Sequence, residues 1–437
     1  MLKNQEPSEQ SRAKSLNPMQ ACVKSGKQQG AVLISLMFIV GIIVSFYFLN
    51  ILSPNNIRAA REEQTAKALM EAKSALIGWS VSNDSAPGRL PCPEDTSEIG
   101  TENEGEAAGN CSLPAIGRLP FKTLGVGDLR DGNEDRLWYV ISENFRNTPI
   151  NSEVSTAQLT INGVSNSAVA IIFSPGVPLE GQQRSVPTAA SPPNVSDYLD
   201  STNSDGDNTF ATSNASSNFN DRLLAISHQD LFIPVEKRVL RDAKYCLDTY
   251  AADSNAKYPW AAPVTSGTYT GVQNTTFGRI PSIISTTGLN VLGILTLSDP
   301  DMSSNWSADC IFYVHAPPAP SSYWYNNNWR SLVFYQLASG YQPFSTANCG
   351  ASCLSVMGSG NPYPGSGTYR AVVIMAGKAI GMQTRSDTTD TSKYLEEANI
   401  HSEPAPALDF ETYRLIDTQH VTVNDLVLCI DGNNNCN

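Results

Sequence analysis

The chain has 437 residues, 41% hydrophobic and only 16% charged, with Lys+Arg 29 against Asp+Glu 42 and a formal charge of −13. That apolar content supports a sizeable core and excludes wholesale disorder. An acidic chain without a basic stripe is also a poor nucleic-acid binder, because neutralising phosphates takes clustered Lys and Arg.

Residues 1–30 form a polar leader carrying Lys3, Arg12, Lys14, Lys24 and Lys27 against Glu6 and Glu9. An uncharged run follows from Ala31 to Leu52. As a helix it would reach about 33 Å, enough for a hydrocarbon core of about 30 Å. The basic leader predicts a cytoplasmic N-terminus, so the expectation is a single-pass inner-membrane helix over 31–52 with everything beyond it periplasmic. A secretory signal fits less well. Its apolar region runs about 7–15 residues before a small-residue cleavage site, and LNILSPNN offers none.

Past Pro54 the sequence becomes amphipathic, with Leu69, Ala72, Leu76 and Trp79 marking one helical face. The same face recurs at Leu240, Ala243, Leu247 and Tyr250, and the chain then matches itself in order. IGRLPF (116–121) answers to FGRIPS (277–282), RLWYVIS (136–142) to LVFYQLA (332–338), and AVAIIFSPG (168–176) to AVVIMAG (371–377). GQQRS, YLD and NDRLLAI then find GMQTRS, YLEE and NDLVLCI. Each half reads as a helix followed by short β-branched or aromatic strands between Gly, Pro, Asn and Ser-rich loops. The predicted class is α+β, with a helix across a mostly antiparallel sheet in each half. The boundaries are a leader at 1–30, a transmembrane helix at 31–52, and domains at 53–232 and 233–437. The second helix is placed to start near Pro234, as a first-turn proline.

The junction at Gly30, a basic polar leader followed at once by an apolar and then amphipathic helix, resembles the class III leader of type IV prepilins and type II secretion pseudopilins. RDGNEDRLWY (130–139) is similar to the Asp-Gly-rich turn into an aromatic strand of pseudopilin heads. The resemblance implies cleavage between Gly30 and Ala31 by a prepilin peptidase, with the inner membrane and other pilin or pseudopilin subunits as partners. It also implies a non-enzymatic, filament-forming role. Family members usually carry Glu as the fifth mature residue, where it pairs with a neighbour's amino terminus; here that place is Ser35. Its absence fits a minor subunit that primes or caps a filament tip, and the resemblance implies that such a tip can be extracellular. The alternative is a permanently anchored periplasmic binding or adhesion protein outside any filament.

Cys22 lies in the leader, and eight further cysteines form an even set suited to disulfides. Short loops suggest Cys92–Cys111, Cys349–Cys353 and Cys429–Cys436, leaving Cys246 with Cys310. Calcium is the one cofactor that the loops suggest. Asp200, Asn203, Asp205 and Asp207 form the best candidate, with Asp131, Asn133 and Asp135, and Asp431, Asn433 and Asn435, as lesser sets. Asp, Asn and Gly are equally what tight turns use. Tyr323, Trp324, Tyr325 and Trp329 read as aromatics packed on a sheet, or else as an adhesive loop. His228, His315, His401 and His420 are scattered, with no HExxH or GxSxG pattern, so no catalytic centre is expected.

Overall fold

The computed structural model describes residues 29–51, 54–112, 115–282, 306–313, 322–346, 349–350, 353–358, 361–362, 367–385, 387–401, 409–411, 414–415 and 421–431. The chain divides into two compact units, Met1–Ala60 and Arg61–Asn437.

The first unit contains helix α1 (Gln29–Ile51). Its side chains are described over residues 32–47, and all sixteen are exposed. Among the described residues no helix is long and apolar enough to cross a membrane. The expected transmembrane helix over 31–52 is corrected accordingly. So is the single-pass inner-membrane placement that rested on it, with its cytoplasmic and periplasmic sides.

Helix α2 (Pro54–Ser82) starts on a proline, where the missing N–H costs nothing. Its buried stripe of Ala68, Leu69, Ala72, Leu76 and Ser80 contains three residues of the predicted face, whose fourth, Trp79, is half-buried. Next come β1 (Ala115–Arg118), β2 (Trp138–Ile141), β3 (Leu159–Ile161), β4 (Val164–Ala168), β5 (Ala170–Ser174), β6 (Thr209–Phe210) and β7 (Arg222–Ile226). The main sheet has the order β1-β2-β5-β7 and is antiparallel throughout. A satellite sheet, β4-β3-β6, combines an antiparallel hairpin with a parallel pair. That hairpin turns at Asn162-Gly163, both with positive φ, the pairing such turns favour.

The second half repeats this plan. Helix α3 (His228–Asp253) precedes β8 (Phe277–Arg279), a short α4 (Tyr323–Asn326), β9 (Val333–Leu337), β10 (Ser355–Gly358), β11 (Asn361–Pro362) and β12 (Ala371–Met375). After these come β13 (Asp409–Glu411), β14 (Arg414–Leu415), β15 (Val421–Val423) and β16 (Leu426–Ile430). The main sheet, β8-β9-β12-β16, is again wholly antiparallel. Its satellite, β11-β10-β13, again joins an antiparallel hairpin to a parallel pair. Four of the collinear sequence matches land on equivalent strands: β1 with β8, β2 with β9, β5 with β12, and β7 with β16.

Helix α3 starts six residues before Pro234. Ser227 caps it with a reciprocal box, its hydroxyl accepting from Asp230 N while the Asp230 carboxylate accepts from Ser227 N. Pro234 therefore sits inside the helix, a correction to its predicted first-turn place. Lys73 of α2 reaches the Asp230 carboxylate at 2.9 Å and the carbonyl of Ala225 at 3.1 Å, tying the two helices together.

One hydrophobic cluster runs from Ala68 on α2 through Phe232 on α3 to Ile430 on β16, so both halves share a core. A second cluster lies on the other face of the first sheet, where Trp138, Val140, Ile171 and Phe173 meet Tyr198, Leu199 and Phe210. Alternate residues of β2 and β5 point into the two clusters, so these strands read as unbroken apolar runs.

At the seam between the halves, the Phe232 ring lies 5.8 Å from Phe145 of the first half and 6.3 Å from Trp329 of the second. Buried Asn327 accepts from Ile150 N at 2.8 Å, and its carbonyl accepts from Asn151 Nδ2 at 2.7 Å. Disulfides join Cys92 to Cys111, Cys246 to Cys310 and Cys349 to Cys353. Cys429 is also disulfide-bonded, while Cys22 and Cys436 lie outside the described residues.

A shared core predicts shared unfolding. Phe232→Ala should cost about 3–5 kcal/mol, as large-to-small changes of a buried aromatic do. Denaturant unfolding followed by tryptophan fluorescence should lower one common midpoint. Two separate transitions, only one of them shifted, would contradict a common core.

Candidate functional site

The most elaborate polar construction is a carboxyl pair built twice, once at the end of each main sheet. In the first half the loop after β5 turns at Gly176, whose φ is +62° and whose missing side chain leaves room for Asn220. Arg184 folds back and donates to the carbonyls of Gly176, Pro175, Asp197 and Tyr198, and its guanidinium lies 5.2 Å from the centre of the Tyr198 ring. Gln182 Nε2 donates to Asp200 Oδ1 at 2.8 Å, and Asn220 N to Asp200 Oδ2 at 2.7 Å. Asp221 Oδ2 accepts from Asp200 N at 2.8 Å and from Asn203 Nδ2 at 2.9 Å. Its Oδ1 is buried with no donor from the rest of the chain and lies beside the Asp200 carboxyl.

The second half repeats the central bonds of this arrangement. Gly377 leaves room for Asn424, and Arg385 donates to the Gly377 carbonyl and lies 4.8 Å from the Tyr394 ring centre. Gln383 Nε2 donates to Glu396 Oε1 at 2.7 Å, and Asn424 N to Glu396 Oε2 at 3.1 Å. Asp425 Oδ2 accepts from Glu396 N at 3.0 Å and Asn399 Nδ2 at 2.9 Å, while its Oδ1 is again buried and without a donor. In each pair two carboxyl groups adjoin, and a proton held between them would satisfy the remaining oxygen.

Burial raises the Asp221 carboxyl to about 7, and the Asp200 charge acts in the same direction. Burial, then the charge of Glu396, pushes Asp425 well above the usual carboxylate range. A third buried acid, Glu236 on α3, is raised by burial to about 8. It lines a cavity of about 210 Å³ with His228, Phe232, Lys378 and Asn424. His228 Nε2 lies 2.9 Å from the Ser152 carbonyl oxygen, to which it donates. Burial, then the charge of Lys378, lowers it to about 4. Burial alone lowers His401 to about 4.

The other predicted residues are placed as follows. Gly30 and Ala31 lie in the first turn of α1. Ser35 is exposed, and its hydroxyl donates to the Val32 carbonyl of its own helix at 2.9 Å. Of the best calcium set, Asp200 and Asn203 belong to the carboxyl pair, whereas Asp205 and Asp207 accept from backbone two residues on, at Asp207 N and Thr209 N. Asp131 likewise spends both carboxylate oxygens on Asn133 N, Asp135 N, Ser174 Oγ and Gly176 N. Asn433 and Asn435 lie outside the described residues. Among the described residues no group of three His, Cys, Asp or Glu is placed to hold a metal ion. Tyr323, Trp324 and Trp329 are buried. His315 and His420 lie outside the described residues.

Sequence reasoning passed over Asp221, Asp425, Arg184 and Arg385. The signal was present, since the matched pairs YLD/YLEE and NDRLLAI/NDLVLCI keep a carboxylate in both copies. Comparison with protein-family models, curated proteins and solved structures gave no match.

The titrations make a signed prediction. The native state keeps protons on Asp221, Glu236 and Asp425 that the unfolded chain loses above its ordinary values of 3.8 and 4.5, so these acids lower stability as pH rises. The two histidines act oppositely, but only between about 4 and their ordinary 6.5. From about pH 6.5 to 8 the carboxyls act alone, and stability should fall. Denaturant midpoints across that window check it, and Glu236→Gln should flatten the fall. A midpoint that climbs with pH would refute it.

Proposed function

We propose that the chain is a non-enzymatic minor subunit of a pilin- or pseudopilin-like filament, placed at the tip as a starter or cap. The observation that carries this reading is α1. Residues 32–47 are apolar on every side apart from Ser35, Gly41 and Ser45, and all are exposed. A helix apolar all round is stable when buried, and the α1 helices of other subunits would bury it in a bundle. The Gly30–Ala31 junction at its start is where a prepilin-type peptidase would release it.

Ser35 supports the tip position. In a bundle of apolar helices a bare amino terminus is costly unless a carboxylate neutralises it. Ser35 supplies no charge and bonds to its own helix, so this chain suits a place where no neighbour's amine awaits it. Two sheet-bearing halves are also bulky for repeated packing along a thin shaft.

N-terminal sequencing should find Ala31 as the first residue, and Gly30→Leu should leave the leader attached. Immunogold labelling of sheared filaments should mark one end only. Label along the shaft, or none on filaments, would overturn the assignment. Ser35→Glu should leave filament number unchanged, because a tip subunit has no partner amine to neutralise.

A further inference from the structure

We propose that Glu396 and Asp425 form a proton-held latch that closes the end of the second sheet onto the seam between the halves and opens when the shared proton leaves. Three segments meet at this pair. The loop after β12 contributes Gln383, the turn at 396–399 contributes Glu396 and Asn399, and the approach to β16 contributes Asn424 and Asp425. Both carboxyls are buried, and every other oxygen of the pair has a donor, which leaves Asp425 Oδ1 to be satisfied by a proton shared with Glu396. The Asp200–Asp221 pair reproduces the arrangement with a shorter acid in place of Glu396, so the geometry belongs to the repeated unit.

What the latch holds reaches the other half. Arg385, on the same loop, donates to the carbonyls of Gly377 and Lys393 and pairs with Glu153 of the first half at 3.4 Å. Glu153 also accepts from Ala379 N at 2.9 Å. Among the described residues, Lys378 and Arg385 lie on the loop after β12, Lys393 and Glu397 flank the turn, and His228 and Glu236 of α3 line a cavity with Lys378 and Asn424. Arg385 is committed to carbonyls and to Glu153, and Lys378 is exposed, so neither compensates a second negative charge at the pair. Loss of the proton to solvent leaves two adjacent buried carboxylates, which separate only by releasing the loop or the turn.

Hydrogen exchange on the full chain, read by mass spectrometry from pH 5.5 to 8.5 and corrected for the intrinsic base-catalysed rate, tests this. Protection of the Glu396 and Asn424 amides and of peptides over 377–385 should fall about tenfold per pH unit once the pair titrates, as one proton requires. Asp425→Asn keeps the shape and supplies a fixed donor, so its protection should stay level with pH. If that variant fails to fold, Glu396→Gln takes its place, and carboxyl-carbon NMR of the unmodified chain gives an independent reading. Level protection in the unmodified chain, an equal fall in the variant, or an Asp425 carboxyl titrating in the ordinary range would each overturn the latch.

Discussion

Within residues 61–437 the packing of Phe232 sets the terms for everything else. Helix α3 opens the second half, yet its N-terminal turns lie against the first, with Lys73 on Asp230 and Arg238 reaching the carbonyls of Val81 and Asn83 at the C-terminal end of α2. Phe232 touches aromatics of both halves, and Gly88 lies where a side chain would strike Ile150 and the Phe232 ring. A helix used by two sheets makes their stabilities inseparable, because neither half can expose its side of α3 without uncovering the other's core.

Duplication explains why the same polar device appears twice, and the differences between copies show what each is used for. Arg184 turns its remaining donor to Asp135 within its own half, whereas Arg385 reaches across to Glu153. The first copy therefore braces one head. The second couples the bracing to the seam. The buried acids run against the usual economy of a core, since each raised carboxyl lowers stability as pH rises. The two halves carry that burden in parallel, and Glu236 adds to it where they meet.

Much of this fold was legible because the matches between halves kept their order and their periodicity. Leu69, Ala72 and Leu76 on α2 and Leu240, Ala243 and Leu247 on α3 show the 3.6-residue stripe directly, and RLWYVIS and LVFYQLA show strands buried on both faces. The start of α3 was misplaced because Pro234 is the louder signal. The Ser227–Asp230 box, which fixes the end, looks in sequence like an ordinary polar turn. The carboxyl pairs were hidden for a different reason. Asp200 and Asp221 are 21 residues apart along the chain, and an acid in a Ser- and Asn-rich loop reads as turn chemistry until its partner is seen. In the stretch 200–207, Asp205 and Asp207 accept from backbone amides two residues on, as turn residues do.

The outer strands also bear on how such a molecule can associate. On the far side of β1, Glu94 N donates to the Arg118 carbonyl at 2.9 Å, so the end of that strand is already occupied. Beyond β8, Ala262 and Arg279 exchange two backbone hydrogen bonds, at 3.0 and 2.8 Å. An incoming strand from another molecule would have to strip these bonds before it could extend either sheet there. The two main sheets are in this way guarded against edge-to-edge growth on those sides.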